Sequence, residues 1–257
     1  MSEALLSLRG VRKAYGAVEA VRGVDLDIGA GEVLALCGDN GAGKSSLVKV
    51  IAGAQAASSG TMTLRGREVA FHSPEDALRG GIATIYQDLA LAPRMSIAEN
   101  VFLGSELTRG PLGLPFPRLL DRRRMMTEAL GYLQRLNPAL TDMARPVEGL
   151  SGGQRQAVAI ARALRWKAEL VIMDEPTAAL GVRETAQVLD LIRRLRGEGR
   201  AVLLVSHSMA DVCAVATRVA IMKAGHKVID RTVAGLDPDM LAHMIMTGQG
   251  TEVAPAG

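Results

Sequence analysis

The stretch Gly38-Asp39-Asn40-Gly41-Ala42-Gly43-Lys44-Ser45, followed by Ser46, has the spacing G-x-x-x-x-G-K-[ST], which suits it to hold a chain of phosphates. Its glycines let successive backbone N–H groups turn toward phosphate oxygens. Lys44 sets a cation where the terminal phosphates would lie, and Ser45 offers a hydroxyl to Mg²⁺. A second stretch, Leu150-Ser151-Gly152-Gly153-Gln154, reads as a helix start able to hold an anion on its amides. Taken alone, it reads more simply as a serine-capped, glycine-rich helix entry. The chain thus has two candidate anion seats and one lysine between them.

Hydrolysis at a phosphate needs carboxylates beside the loop. "LVIMDEPT" (170–177) supplies them, with four apolar residues leading to Asp174 and Glu175 at the mouth of a strand. Ligands in open α/β sheets bind at such carboxyl ends. Asp174 is expected in the Mg²⁺ shell, and Glu175 is expected to polarise an attacking water. Gln87 follows the apolar run "IATIY", and His207 follows "AVLLVS". Each is more simply a loop residue when taken alone. Beside a phosphate loop, Gln87 could reach Mg²⁺ and water, and His207 could donate to the terminal phosphate.

These residues need a scaffold, and the patterning supplies one. "ALLSLRGVRKAY" and "AVEAVRGVDLDIGAGE" alternate like strands, while "VLALCG" is a short buried run before the loop. "SSLVKVIAG" has helical spacing, with Leu47, Val50 and Ile51 on one face and Gly53 as its stop. "GTMTLRG" and "REVAF" read as a further strand pair. From about Leu91 the character turns helical. "AENVFLG" and "DRRRMMTEALGYLQRL" are helices, the second with Leu130, Leu133 and Leu136 on one face, and "GPLGLPFPR" links them. Strands return with "ELVIMDEP" and "AVLLVSH", on either side of the amphipathic "VRETAQVLDLIRRLRGEG". "RVAIMKAGHKVID" reads as a hairpin and "TEVAPAG" as a frayed tail. The expected fold is an α/β phosphate-loop core interrupted by a helical insertion near 91–163.

Composition narrows the class. Hydrophobic residues make up 48% of 257, enough for a core, but only 3% are aromatic. Stacking platforms for single-stranded nucleic acid are therefore not expected. Net charge is +3 without a long basic run, and Cys37 and Cys213 have no metal-ligand spacing; a reduced compartment suits them better than a disulfide. The amino terminus does not read as a signal peptide, and no run of about 18 apolar residues occurs.

The ordered set resembles the ATP-binding subunits of ATP-binding cassette (ABC) transporters: the loop at 38–45, Gln87, "LSGGQ" at 150–154, "LVIMDEP" at 170–176 and His207, covering roughly residues 4–235. The resemblance implies an ABC-type, RecA-like P-loop NTPase core with an antiparallel β subdomain and an inserted helical subdomain. It implies one domain over 4–236 and a short extension over 237–257. It also resolves the single lysine, because family members close head to tail, with each ATP between one chain's phosphate loop and the other's signature. Ser151, Gly152, Gly153 and Gln154 would then serve the partner's nucleotide. Tyr15 matches the aromatic that stacks on adenine, though a lone tyrosine could equally be core, and Ser46 would touch the α-phosphate. "PTAALG" (176–181) falls where the family has its D-loop. Most relatives carry Asp at the position of Gly181, which puts the coupling role of that loop in question.

"IYQDLALAPRMSIAENVFLG" and "DEPTAALGVRET" are similar to cassettes of bacterial monosaccharide importers of the ribose, xylose and fructose group. That likeness implies a second copy of the chain as partner, two integral membrane permease subunits docking near Gln87, and indirectly an extracytoplasmic sugar-binding protein. It places the subunit on the cytoplasmic face of the inner membrane, with no nucleic-acid partner. The competing reading is a soluble ABC ATPase switch in DNA repair or assembly. Such relatives carry two cassettes, coiled coils or zinc modules, none of which is found here. A phosphate-loop kinase has no use for a signature helix. Arg118 and Arg122–Arg124 could meet nucleic acid or lipid headgroups, but read more simply as a solvated helix start.

Overall fold

The computed structural model describes residues 4–109, 119–178 and 180–249. The linker read over 110–118, with Arg118, lies outside the described residues, as do Ala179 of the "PTAALG" segment and the tail from 251. The chain forms two compact units, one of residues 1–87, 168–176 and 192–257, the other of 88–167 and 177–191.

The first unit is built on two sheets. Strand β1 (Ala4–Tyr15) pairs antiparallel with β2 (Val18–Gly29) and with β4 (Ser59–Leu64), and β5 (Arg67–Glu68) completes the order β2-β1-β4-β5. The pair expected at "GTMTLRG" and "REVAF" is present, but its second strand is only two residues long. Beyond it the Val69 N–H still donates to the Met62 carbonyl at 2.9 Å, and Val69 and Phe71 pack against the core.

The second sheet has the order β12-β11-β3-β10-β9-β6. Its members are β3 (Val33–Gly38), β6 (Ile82–Ile85), β9 (Leu170–Asp174), β10 (Ala201–Val205), β11 (Arg218–Lys223) and β12 (His226–Thr232). All neighbours are parallel except β11 and β12, which form the expected hairpin. β3 is buried along its whole length, as its uninterrupted apolar run demands of a central parallel strand. Its side chains alternate between two cores. Leu34 and Leu36 join Leu6, Leu26, Leu47 and Ile51 on one face. Ala35 and Cys37 join Val219, Ile221 and Val212 on the other.

Helix α1 (Lys44–Ile51) follows the loop and buries Leu47, Val50 and Ile51 as their spacing predicts. Two short helices escape the periodicity argument, α2 (Pro74–Gly80) and α7 (Met209–Val215). Each is marked instead by a serine cap, Ser73 and Ser208, the signal that short helices carry most plainly. A third, α8 (Pro238–Thr247), occupies the segment read only as an extension. Leu241 and Met244 are fully buried in the core under β3 and β11. The Lys223 ammonium donates to the Met246 carbonyl at 2.6 Å near the end of α8.

The second unit is helical. α3 (Ile97–Phe102), α4 (Arg122–Leu136) and α5 (Gly152–Arg165) pack on one another, with a small hairpin of β7 (Thr108–Arg109) and β8 (Leu119–Leu120) beside them. The buried stripe of α4 is Met125, Ala129, Leu133 and Leu136. Leu130, read as part of the buried face, is only partly covered, because the i, i+4 row from Met125 passes one position before it. α6 (Val182–Gly197) begins in this unit and ends in the first.

Since α8 contributes to the core of the first unit, Leu241→Ala is expected to cost about 2–4 kcal/mol. A urea titration measures it; a frayed appendage would leave the midpoint where it was.

Candidate functional site

The parallel register brings the chemistry to one edge. Met222 of β11 pairs with Gly38, Val205 with both Leu36 and Asp174, and Ile85 with Met173. The phosphate loop, the two carboxylates, His207 and Gln87 therefore leave the sheet at the same carboxyl end.

The loop's glycines are required by contact as well as conformation. At Gly38 (φ 145°) a Cβ would lie 2.2 Å from the Met222 carbonyl oxygen, and at Gly43 (φ 99°) 2.3 Å from that of Ala20. Neither neighbour is a side chain that can step aside. At Gly41 (φ 79°) a Cβ would meet nothing within 4 Å, so that glycine answers to backbone strain alone.

Lys44 opens α1 and is buried to 6% exposure. Its ammonium donates to the carbonyls of Gly38 at 2.6 Å and Asp39 at 3.0 Å. Burial lowers its pKa, while Cys37, Glu175, Asp39 and Asp174 act in the opposite direction. The head of α1 has no side-chain cap and no acidic residue in its first turn. Its first amides have no partner within the helix, and the Leu47 N–H to the Gly43 carbonyl, at 2.9 Å, is the earliest helical bond here. A positive helix end with a buried lysine beside it and no cap of its own fits a bound phosphate group.

The loop lines a cavity of about 340 Å³ together with Tyr15, Asp174, Glu175 and His207. Asn40, Ser45 and Ser46 also face it. Ser45 and Asp174 offer hard oxygen donors, which suit Mg²⁺. Burial first, then Glu175, pushes the Asp174 carboxyl up, against the pull of Lys44, His207 and Lys49. Glu175 has a left-handed backbone (φ 50°), and its N–H is held by the Val205 carbonyl at 2.9 Å. That turn aims its carboxylate into the cavity, where Oε1 lies 3.2 Å from His207 Nε2. The sequence gives no sign of this contact, since thirty-two residues separate the pair. The Tyr15 hydroxyl is 3.5 Å from Ser46 Oγ and also hydrogen-bonds Gln55, and the residue is 42% exposed beside the cavity. Tyr15 is therefore not core. Gln87 is exposed at the same sheet edge and does not line the cavity.

The second anion seat lies in the second unit. Ser151 caps α5 in a reciprocal box, with Gln154 N–H donating to Ser151 Oγ at 3.3 Å and Ser151 N–H to Gln154 Oε1 at 3.0 Å. The capping reading and the anion-seat reading are thus both compatible with this helix start. Side-chain ends from Leu180, just before α6, and from Gln187 on α6 lie against Gly152 and Gly153. A Cβ on either would fall 2.5 Å from Leu180 Cδ2 or Gln187 Oε1 respectively. Gly152 N–H donates to Glu184 Oε1 at 2.8 Å. Neither Glu184 nor Gln187 stands out in the sequence, where they are two polar residues on an ordinary amphipathic helix. Farther along α5, the Arg162 guanidinium donates to the carbonyls of Leu89 and Ala90 at 2.8 and 3.0 Å.

A phosphate loop between a buried parallel strand and an uncapped helix, with two carboxylates at the end of β9 in the same sheet, defines a P-loop nucleotide-binding protein. The family model for the ABC transporter matches residues 21–178, and the chain belongs to that family. It is 47% identical over 227 residues to a fructose import ATP-binding protein of Rhizobium meliloti, covering 88% of this chain and 87% of that one. It is 42% identical over 242 residues to a ribose import ATP-binding protein of Yersinia pestis, covering 94% of this chain. The match spans 46% of the ribose protein, so the chain is about half its length. Among solved structures, the ATP-binding cassette MJ1267 of an ABC transporter superposes with a TM-score of 0.81 at 24% identity, covering 96% and 99% of the two chains. A dimeric post-hydrolysis state of the cassette MJ0796, bound to ADP and phosphate, gives 0.71 at 24% identity and covers 90% and 100%. The fold is that of the ABC ATPases.

Two glycine substitutions separate contact from strain in the loop. Gly43→Ala forces a Cβ onto a carbonyl and is expected to abolish measurable nucleotide binding. Gly41→Ala meets open space and is expected to weaken it by roughly tenfold, the scale of one left-handed residue. Titration with a fluorescent ATP analogue reads both.

Proposed function

We propose that this chain is the ATP-hydrolysing subunit of a sugar importer, that it acts on Mg²⁺-ATP, and that two copies close head to tail around two nucleotides. The observation that carries the ATPase reading is the arrangement of Lys44, Asp174, Glu175 and His207 around the uncapped head of α1. The names of the fructose and ribose relatives support import of a monosaccharide as the work that hydrolysis drives. The dimeric form of the MJ0796 cassette supports pairing. Residues 4–236 are taken as the nucleotide-binding domain, with α8 of the following extension packed into its core.

In this reading the amides and Lys44 hold the β- and γ-phosphates, Ser46 the α-phosphate, and the Tyr15 ring the adenine. Ser45, Asp174 and Gln87 would hold Mg²⁺, which when bound neutralises phosphate charge and orients the terminal group. Glu175 orients a water and draws its proton as the water oxygen bonds to the γ-phosphorus and the bond to the ADP oxygen breaks. His207, whose Nε2 lies 3.2 Å from the Glu175 carboxylate, donates to the terminal phosphate. Ser151, Gly152, Gly153 and Gln154 complete the partner's site, so loss of the γ-phosphate loosens the pair.

Among the described residues no helix is long and apolar enough to cross a membrane. On the likeness to the import relatives, two permease subunits are assigned as the membrane partners, docking beside Gln87, with an extracytoplasmic binding protein delivering the sugar. The subunit is assigned to the cytoplasmic face of the inner membrane. The rival reading as a soluble switch in DNA repair or assembly is weaker, since both relatives described above are import proteins.

Glu175→Gln is expected to bind ATP, reduce turnover at least a hundredfold, and accumulate as an ATP-dependent dimer on a sizing column. A monomer under those conditions would overturn the head-to-tail pair. Ser151→Arg is expected to block hydrolysis while the isolated monomer still binds ATP. Loss of monomer binding would place Ser151 in its own chain's site.

A further inference from the structure

Glu184 is the acidic residue in contact with the signature that the proposed function leaves unused. It is the third residue of α6, and its carboxylate reaches across to α5 rather than into solvent. Oε1 accepts from the Gly152 amide at 2.8 Å, and Oε2 lies 3.4 Å from the Gly181 amide. A Cβ on Gly152 would sit 3.2 and 3.3 Å from the two carboxylate oxygens, so the charge lies directly against that backbone. No acidic residue occurs in the first turn of α5 itself. Glu184 is thus the anion already resting on the positive end of the signature helix.

The head-to-tail reading brings a second anion, the γ-phosphate of the partner's nucleotide, to the same helix head. Two like charges a few ångströms apart repel, and at a partly screened site the repulsion is worth a measurable change in affinity. The hydrogen bond to Gly152 keeps the carboxylate from swinging clear at no cost. We propose that Glu184 sets the affinity of the closed pair for ATP. Its charge opposes arrival of the partner's γ-phosphate, so that closure requires high ATP and reopening follows promptly once the phosphate is cleaved. Glu184 is a positioning residue that acts through the signature amides, and it touches no reacting atom. The inference rests on the head-to-tail reading.

Charge and hydrogen bonding can be separated at this residue. Glu184→Gln keeps an oxygen that can accept from Gly152 and removes the charge; Glu184→Ala removes both. Each is made in the Glu175→Gln protein, and the ATP concentration for half-maximal dimer is read by light scattering at low and at high salt. Both variants are expected to dimerise at about three- to tenfold lower ATP than the Glu175→Gln parent at low salt. The gap is expected to narrow at high salt, as screening of a charge requires. Melting curves without nucleotide establish that each variant is folded. An unchanged midpoint for Glu184→Gln, or weaker dimerisation by Glu184→Ala, would overturn the proposal and leave Glu184 as a structural tether. If the Glu175→Gln parent itself fails to dimerise, the head-to-tail reading falls, and this inference with it.

Discussion

The ammonium of Lys44 is the interaction on which the site depends. A nearly buried cation is costly unless it is hydrogen-bonded and faces opposite charge. Here two carbonyls of its own loop accept from it, and Asp174 and Glu175 lie within electrostatic reach. That arrangement requires Gly38 to bring its carbonyl back over the helix start, which only a residue without Cβ can do under Met222. It requires β9 beside β10, and β10 beside β3, in parallel register, so that the carboxylates leave the sheet where the loop does. It also requires an apolar floor, which Cys37 illustrates. Burial drives that thiol up to about 12, so it remains neutral beneath the lysine.

The loop was legible in the sequence because its chemistry is contiguous. A glycine pattern, a lysine and a hydroxyl within eight residues announce themselves, as do four apolar residues before Asp174-Glu175. β3 and α1 were legible for a related reason, since each carries a simple burial period through its full length. What the sequence withheld is what depends on distant partners. The Glu175–His207 contact and the seat of Glu184 on Gly152 join residues thirty-two positions apart in each case, and no local pattern encodes them. The shortness of β5, and the slide of the buried stripe of α4 from Leu130 to Ala129, are likewise set by neighbours. α8 was missed because its apolar residues sit among methionines in a segment with no catalytic motif. Its aspartate cap and following proline were the available signal.

The signature illustrates how one set of residues can satisfy structure and chemistry together. Ser151 and Gln154 cap each other, which is sufficient reason for both to be present. Gly152 and Gly153 are met by the flexible ends of the Leu180 and Gln187 side chains, which a Cβ would displace. The helix end is also met electrostatically, by the Glu184 carboxylate on the Gly152 amide. The same unit buries Arg162 against two backbone carbonyls just beyond Gln87, and burial lowers that guanidinium's pKa. The helix that begins at the signature is thereby tied, in its last turn, to the chain leaving Gln87.

The bare head of α1 has a thermodynamic consequence. Other helices of the first unit, α2 and α7 among them, satisfy their first amides with their own side chains. α1 leaves that work to whatever anion occupies the loop. Part of the folding free energy of the core therefore resides in solution rather than in the chain, and grows with the logarithm of ligand concentration. At a hundredfold excess over the dissociation constant it amounts to about 2.7 kcal/mol. A domain of this design reports its nucleotide supply through its own resistance to unfolding.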